Sequence, residues 1–471
     1  MPMTQQEADA LYEQGKDAVT GWMLAMDQRV RAQEERLEAL EARLAQNSNN
    51  SSKPPSTDPP ERKMAPMSLR KKTGRKPGGQ KGHEGNTLRQ VDEPDEILEH
   101  RPAHCPHCCT DLSEAPQTGY SRRQVVEMPE PRVLVTEHRA MCVACPCCGK
   151  QATGAFPEGV DQPAQYGPNL LGFGIYLHAQ HLIPYARAAK IVQDLTQAPL
   201  SAGSLHRAMQ QAYATLADFE GQVKAALAAA PLKHVDETSG RVAGKRHWFH
   251  TRCTHKLTHL FVHEKRGKEA VADLLDYSGR LVSDFFSNYV SLACLHQFCI
   301  AHLCRELQGV FEQSGALWAS ELKQFFESCN AACHRARDRG SPRLWNARRL
   351  AGEFDALVAS GLSVTPGAAS KGAKRSKARC LLERLRDYRE DCLAFLFDLS
   401  LPFTNNEAER DLRMLKVKGK ISGCFRSLEG AHLFCRVRGY LQSCRKQGMD
   451  LLACLRSVFA GDPLLPSFQH G

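Results

Sequence analysis

No uncharged apolar stretch of the 471-residue chain approaches about 20 residues, the length that spans a bilayer as a helix. A membrane partner is therefore not expected. The N-terminus lacks a basic, apolar leader and carries Gln5, Glu7 and Asp9 instead, so no secretory signal is read there. No internal repeat is evident. Cysteine is not scarce: there are 19, an odd number. In a chain with no export signal these read as reduced thiols or metal ligands of a cytoplasmic protein, not as a disulfide framework. Those scattered singly read as small buried apolar side chains.

A chain of this length exceeds a single compact core and points to roughly three or four modules. The hydrophobic fraction of 42% supports a sizeable folded core, and the formal charge of +10 hints at a polyanionic partner. The charge is unevenly spread. Residues 5–46 read as helix, with Met23, Val30, Leu37 and Leu44 recurring every seven positions and Met26, Gln33 and Leu40 at the offset of three. That is a short coiled-coil seam with one polar break, implying a dimer; a lone amphipathic helix packed on its own chain gives the same pattern. Residues 46–66, rich in Asn, Ser and Pro, read as linker. From 62 to 81 there are eight Lys/Arg and no acid, among them Arg70, Lys71, Lys72, Arg75, Lys76 and Lys81. Such a glycine-flanked strip can lie along phosphates or in a narrow groove, or be a solvated arm; its lack of aromatic residues argues against base stacking.

Cys105-Pro-His-Cys108 and Cys145-Pro-Cys-Cys148 are two C-x-x-C knuckles. Four thiolates suit one tetrahedral Zn²⁺, and a closed set of protein ligands makes such a zinc structural. Cys142, His104, His107, Cys109 and Cys147 are alternative ligands. The long separation of the knuckles suggests an inserted hairpin over 122–137. Residues 165–230 read as helical. A helix over 187–195, a break over 196–200 and a helix over 202–213 capped by Ser201 give a helix-turn-helix layout, which any helical hairpin shares.

From 231 the pattern turns to strands, at 233–238, 246–253 and 256–263, followed by a helix over 268–277 and a fourth strand over 280–286. Residues 297–311, 315–395 (interrupted over 363–376) and 405–460 read as helical. Asp236 lies in the first strand, on the face opposite Val235 and Glu237, and Asp284 lies at the end of the fourth. Either aspartate alone reads equally as a turn cap. Residues 402–413 open a helix that Thr404 or Asn405 can cap. On it Glu409, Arg413, Lys416 and Lys420 share one face, at offsets of four, seven and eleven, with Arg410 beside them. Glu407 competes with Glu409 but points about 160° away. Three carboxylates suit hard Mg²⁺ (or Mn²⁺), two ions of which support in-line phosphoryl displacement. Water as nucleophile cleaves a strand, and a DNA 3′-hydroxyl joins one.

The chain resembles the insertion sequence 66 family of bacterial transposases. The resemblance rests on Asn47-Ser-Asn-Asn-Ser-Ser-Lys-Pro-Pro-Ser56, Gly74-Arg-Lys-Pro-Gly-Gly-Gln-Lys-Gly-His83, the two knuckles, Pro184-Tyr-Ala-Arg187, His234-Val-Asp-Glu-Thr238, Cys299-Ile-Ala-His302 and Asn405-Asn-Glu-Ala-Glu-Arg410. It implies a ribonuclease-H-like catalytic domain with a helical insertion, and the catalytic triad Asp236, Asp284 and Glu409. Phe285-Phe286, Cys304 and Glu306 depart from the family's usual pattern. His302 is read as a DNA or active-site contact, or as core.

The resulting expectation is a multidomain α+β protein. It comprises a coiled-coil helix (1–46), a basic flexible linker or arm (47–94), a zinc-ribbon-like module (95–155) and a helical, helix-turn-helix-like DNA-binding region (160–230). The first part of the ribonuclease-H-like core (231–312), a helical insertion (313–398), the C-terminal part of the core with Glu409 (399–460) and a tail (461–471) follow. The expected function is binding of an element's terminal inverted repeats in double-stranded DNA, then cleavage and strand transfer, by a homodimer or higher oligomer in the cytoplasm at the nucleoid. Accessory proteins of the same element are possible partners. The alternative is a zinc-containing, sequence-specific DNA-binding protein with an inactive catalytic domain.

Overall fold

The computed structural model describes residues 3–47, 49–51, 88–367 and 375–469. The basic strip with Arg70, Lys71, Lys72, Arg75, Lys76 and Lys81 lies outside the described residues.

The N-terminal helix is two helices, α1 (Gln5–Glu13) and α2 (Lys16–Leu44), parted at Gly15. Thr4 and Glu7 form a reciprocal capping box that starts α1. The seam residues Met23, Met26, Val30, Leu37, Leu40 and Leu44 are all exposed. The start of the linker is not free. Asn50 is buried, its amide donates to Glu312 (2.8 Å), and its carbonyl sits where a side chain on Gly309 would be. Only a residue without Cβ permits that approach.

The cysteine module holds one small antiparallel pair, β1 (Cys142–Ala144) and β2 (Gln151–Thr153). The hairpin expected over 122–137 does not form. The side chain of Gln124 instead exchanges two hydrogen bonds with the backbone of Val91, both 2.8 Å, and Arg122 pairs with Asp92. Pro129 and Pro131 remove two ladder donors from the same stretch.

A helical body follows: α3 (Pro168–Ile175), a π-helical turn (Tyr176–Gln180), α4 (Tyr185–Thr196), α5 (Ala202–Thr215) and α6 (Ala217–Ala229). Ser201 caps α5 by accepting from Ser204 N, as expected from sequence. Leu205, Ala208, Met209 and Ala212 of α5 are buried in a core completed from the far end of the chain by Leu441, Leu455 and Val458.

Five strands then form one sheet: β3 (Leu232–Val242), β4 (Lys245–Cys253), β5 (Thr258–His263), β6 (Arg280–Ser283) and β7 (Leu295–Phe298), in spatial order β5-β4-β3-β6-β7. The first three pair antiparallel, whereas β3, β6 and β7 run parallel. Sequence reading missed β7, because Leu-His-Gln-Phe is short and lacks a β-branched run. It also ended β3 four residues early. The segment 268–274 is 3-10 rather than α, and α7 (Ser287–Val290) is a single turn.

Helix α8 (Ile300–Ser314) leaves β7 for the helical insertion α9 (Leu317–Asp338), α10 (Ala347–Val364), α11 (Lys377–Asp387) and α12 (Arg389–Phe397). An apolar core containing Leu322, Phe326, Phe354, Leu382 and Phe395 binds these helices to α8 and Phe298. The family-atypical residues belong to this junction. Phe285 stacks on Phe298, 3.8 Å between ring centres, and Glu306 pairs with Arg384 of α11. The chain returns through α13 (Asn406–Ser422), α14 (Leu428–Lys446) and α15 (Leu451–Phe459). Helices α13 and α14 cover one face of the sheet, where Val242, Phe249, Leu260 and Val262 meet Leu412, Leu415 and Phe434. The opposite face buries Val235 and Leu281 against Leu274, Tyr277 and Tyr289. Among the described residues no helix is long and apolar enough to cross a membrane.

Candidate active site

Strand alternation sends Val235 into one core and turns Asp236 to the other face, the one that α13 crosses. Glu237, back on the Val235 side, is fully engaged. Arg266 donates two bonds to it (2.8 and 2.6 Å) and the Tyr289 hydroxyl a third (2.6 Å). Glu237 is thus an ion-paired, hydrogen-bonded carboxylate, and Asp236 has no such partner among the described residues. Asp284 follows the last residue of β6. The parallel register Lys233↔Leu281 and His234↔Val282, carried two steps further, sets Asp236 beside Asp284.

Each aspartate takes a single backbone donor: Glu237 N to Asp236 Oδ1 (2.8 Å) and Phe286 N to Asp284 Oδ1 (3.0 Å). Neither forms an ion pair with a described cation. Burial raises the Asp236 carboxyl well above the ordinary range, and the negative charges of Glu237, Asp284 and Glu409 raise it further. Asp284 is pushed up to about 6, by burial first and then by Glu237. Buried carboxylates without an ion-pair partner, raised by neighbouring negative charge, fit a divalent cation, which would supply positive charge there.

Glu409 is brought to this face by a clamp at the start of α13. Asn405 does not cap the helix through its side chain. Its amide nitrogen donates to Val235 O (2.8 Å), its oxygen lies 2.9 Å from His234 Nδ1, and its backbone N–H donates to Cys299 Sγ (3.3 Å). One buried amide therefore ties α13 to β3 at the two residues that precede Asp236. A turn further on, buried Asp411 accepts from Thr258 (2.7 Å) and Lys446 (2.8 Å), joining α13 to β5 and α14. Sequence reasoning missed both anchors. Asn405 resembled a helix cap, and only its unused capping bond reveals the other role. Glu407 pairs with Arg410 (3.3 Å) and lies 3.9 Å from Lys446, so it is occupied.

His302, on α8, places Nδ1 3.8 Å from Glu409 Oε1. Burial, then Arg305 and Lys416, lowers its pKa to about 3, so the ring is neutral at physiological pH. Arg410, Arg413, Lys416 and Lys420 are all exposed along α13. Among the described residues, only Arg410 of these four has an ion-pair partner.

The two knuckles share one turn geometry. Cys105 N donates to Thr110 O and Cys109 N to Cys105 O; Cys145 N donates to Lys150 O and Gly149 N to Cys145 O, all 2.8–2.9 Å. Cys109 (φ 57°) takes the left-handed position that Gly149 (φ 69°) takes in the second knuckle. Within each turn the thiols interact, Cys105 with Cys108 and Cys145 with Cys148. The structure does not bring the two pairs together. Among the described residues the one Cys/His/Asp/Glu group whose ligand atoms all lie within 4.8 Å of one another is Cys299, His302 and Glu409.

Residues 2–89 match a family of unknown function (DUF6444). No curated protein matches the chain. Residues 163–433, which hold the sheet, the insertion and all three candidate carboxylates, match the Transposase IS66 family. The match covers more than half of the sequence, and the chain belongs to that transposase family.

Proposed function

We propose that this transposase binds the terminal inverted repeats of its element and catalyses divalent-metal-dependent DNA cleavage and strand transfer, with Asp236, Asp284 and Glu409 as metal ligands. The observation that carries the reading is a pair of buried aspartates on adjacent parallel strands, neither with an ion-pair partner among the described residues, both raised first by burial and then by the charge of neighbouring carboxylates. The strand order, three antiparallel and then two parallel with a helical insertion before α13, supports a ribonuclease-H-like core.

Bound Mg²⁺ or Mn²⁺, as a pair, would activate the attacking oxygen and stabilise the leaving one. The chain's own residues do the rest. The backbone N–H groups of Glu237 and Phe286 each hold one oxygen of Asp236 and Asp284, leaving the other for a metal. The Asn405 clamp sets the reach of Glu409. Arg413, Lys416 and Lys420, free of described acids, neutralise DNA phosphates, so affinity falls steeply with salt. The matched knuckle turns support a structural zinc at Cys105, Cys108, Cys145 and Cys148, which forms when the two pairs close on one ion. The basic arm and the α4–α5 hairpin add DNA contacts.

A duplex carrying the element's inverted repeats is expected to be cut at the repeat ends with Mg²⁺ or Mn²⁺, and its 3′ ends joined to a second duplex. Cutting without joining makes the protein a nuclease. Binding without cutting favours the inactive, DNA-binding alternative.

The exposed seam of α2 supports a dimer that brings two ends together. Burying one leucine stabilises by about 1.5–3 kcal/mol. Leu37→Asp, which loses that term and adds two facing charges, is expected to leave a monomer by light scattering. An unchanged mass would remove α2 as the dimer contact.

A further inference from the structure

The CxxH segment at the start of α8 is absorbed by none of the roles above. Cys299 ends β7's connection to α8, is buried, and holds Sγ toward the start of α13. His302 lies one helical turn on. Its Nδ1 is shut off from solvent and has no hydrogen-bond partner among the described residues. An orphaned ring nitrogen in a dry site is costly unless something occupies it. What faces it is Glu409, at 3.8 Å, and Sγ, Nδ1 and the Glu409 carboxylate form the group within 4.8 Å.

We propose that Cys299 Sγ, His302 Nδ1 and Glu409 form a second metal site, selective for a borderline-soft ion of the Zn²⁺ class. Its occupation withdraws Glu409 from the Mg²⁺ set and arrests DNA cleavage.

The donor set decides the metal. Thiolate, imidazole and one carboxylate are what Zn²⁺ takes, whereas Mg²⁺ demands oxygen and binds thiolate poorly. Tetrahedral Zn²⁺ at its usual bond lengths separates ligand atoms by about 3.3–3.8 Å. From separations within 4.8 Å the cluster therefore closes on an ion by shortening of roughly 1–1.5 Å at most, within the reach of a Glu rotamer. Three protein ligands leave a fourth position for water. Burial, then the charge of Glu409, pushes the Cys299 thiol up to about 12, and the Asn405 N–H bonded to Sγ offsets this only in part, so the bound ion itself supplies the charge that holds the thiolate. On binding, the Cys299 thiol proton passes to solvent and a Zn–S bond replaces it; His302 is already neutral, and nothing is oxidised or reduced. Arg305 and Lys416 nearby oppose a cation, which weakens the site and suits it to reversible occupation.

Inhibition follows from geometry. Glu409 has one carboxylate, and the ion at Cys299–His302 draws it away from Asp236 and Asp284. This consequence rests on the transposase reading; the binding of the ion does not.

The test uses the full chain and Co²⁺, whose thiolate charge-transfer and tetrahedral d–d bands report ligation directly. Titration of the wild type, Cys299→Ser and His302→Gln is expected to show one fewer equivalent of Co²⁺ bound by each variant. Circular dichroism establishes that each is folded, and the His302 variant stands in if the buried serine unfolds the chain. Equal stoichiometry in all three overturns the site, whatever the knuckle cysteines bind. In the Mg²⁺-dependent cleavage assay, the Zn²⁺ concentration for half-inhibition is expected to rise at least about 10-fold in either variant, the scale of weakened ligation. Loss of the Co²⁺ equivalent with unaltered Zn²⁺ inhibition overturns the regulatory role and leaves the site standing. A protein that binds the ion but cuts no DNA overturns the transposase reading and with it the inhibition, while the binding result still decides the site.

Discussion

Asp236→Asn and Asp284→Asn are each expected to cripple strand cleavage and, in the absence of metal, to make the protein more stable. Both halves have one cause. In the metal-free protein each aspartate is held away from water beside other carboxylates, and both conditions disfavour its charged form. The ordinary aspartate pKa is near 3.8, and in the fold Asp284 is raised to about 6. A carboxyl raised in the folded state binds its proton more tightly there than in the unfolded chain. Its contribution to stability is therefore fully present below the unfolded value and is lost as pH rises through about 6. At pH 7 the folded protein carries that penalty. For Asp284 the shift corresponds to about 3 kcal/mol at most, and partial exposure reduces this to about 1–3 kcal/mol. Asparagine is neutral, so it relieves the penalty and flattens the acid limb between pH 4 and 6.5. Thermal melts in EDTA are expected to rise by a few degrees for the variants. Mg²⁺ is expected to raise the wild-type melting temperature and not theirs, because only the native fold offers the paired carboxylates. Cleavage is expected to fall by about 100- to 1,000-fold or more, the scale of losing one element of a preorganised charged site, with binding of repeat DNA retained. Glu409→Gln is expected to share the catalytic loss. Variants that cut as well as the wild type would remove these carboxylates from the chemistry. Variants less stable than the wild type in EDTA would show that the aspartates are structural.

Asn405→Ala is expected to be the most damaging substitution at a position outside the metal set. The amide is buried and serves two groups that have no access to water, the His234 ring nitrogen and the Val235 carbonyl. Truncation leaves both unpaired at about 1–3 kcal/mol each, so the melting temperature falls by several degrees. It also frees the first turn of α13, and with it the position of Glu409. Cleavage is expected to drop about 10- to 100-fold, as when the partner of a ligand is lost. Affinity for repeat DNA is expected to hold, because the cations of α13 proposed to meet phosphates, from Arg413 on, begin two turns further along. Asn405→Asp distinguishes positioning from bulk. It keeps the volume but cannot donate to Val235 O, and it adds an anion, so it should rescue neither property. Wild-type cleavage in Asn405→Ala would mean that α13 is held by Asp411 and Lys446 alone.

The features legible in the sequence are those written in short-range patterns. The alternation around His234-Val-Asp-Glu states that Asp236 and Glu237 point apart, and the structure adds why it matters: Glu237 is paired with Arg266 and bonded by Tyr289, while Asp236 has no ion-pair partner among the described residues. The Ser201 cap, the break before α5, the helical insertion and the cationic face of α13 are local as well. Features that depend on a distant partner were not legible. Leu295–Phe298 is a strand because β6 offers it an edge, not because its residues favour extension. The stretch 122–137 fails to pair with itself because Val91, some 30 positions upstream, engages Gln124 first.

The sequence alone pointed to the family, to the element order over most of the chain, to the cysteine knuckles and to three candidate carboxylates. Periodicity, capping and spacing are properties of neighbours in the chain. Tertiary structure alone decided which acids are neutralised, that Asn405 is a clamp instead of a cap, and that Cys299 and His302 meet Glu409. Those outcomes depend on which groups from different elements meet, 29 positions apart for Glu237 and Arg266 and 171 for His234 and Asn405, and on whether each charge finds a partner there.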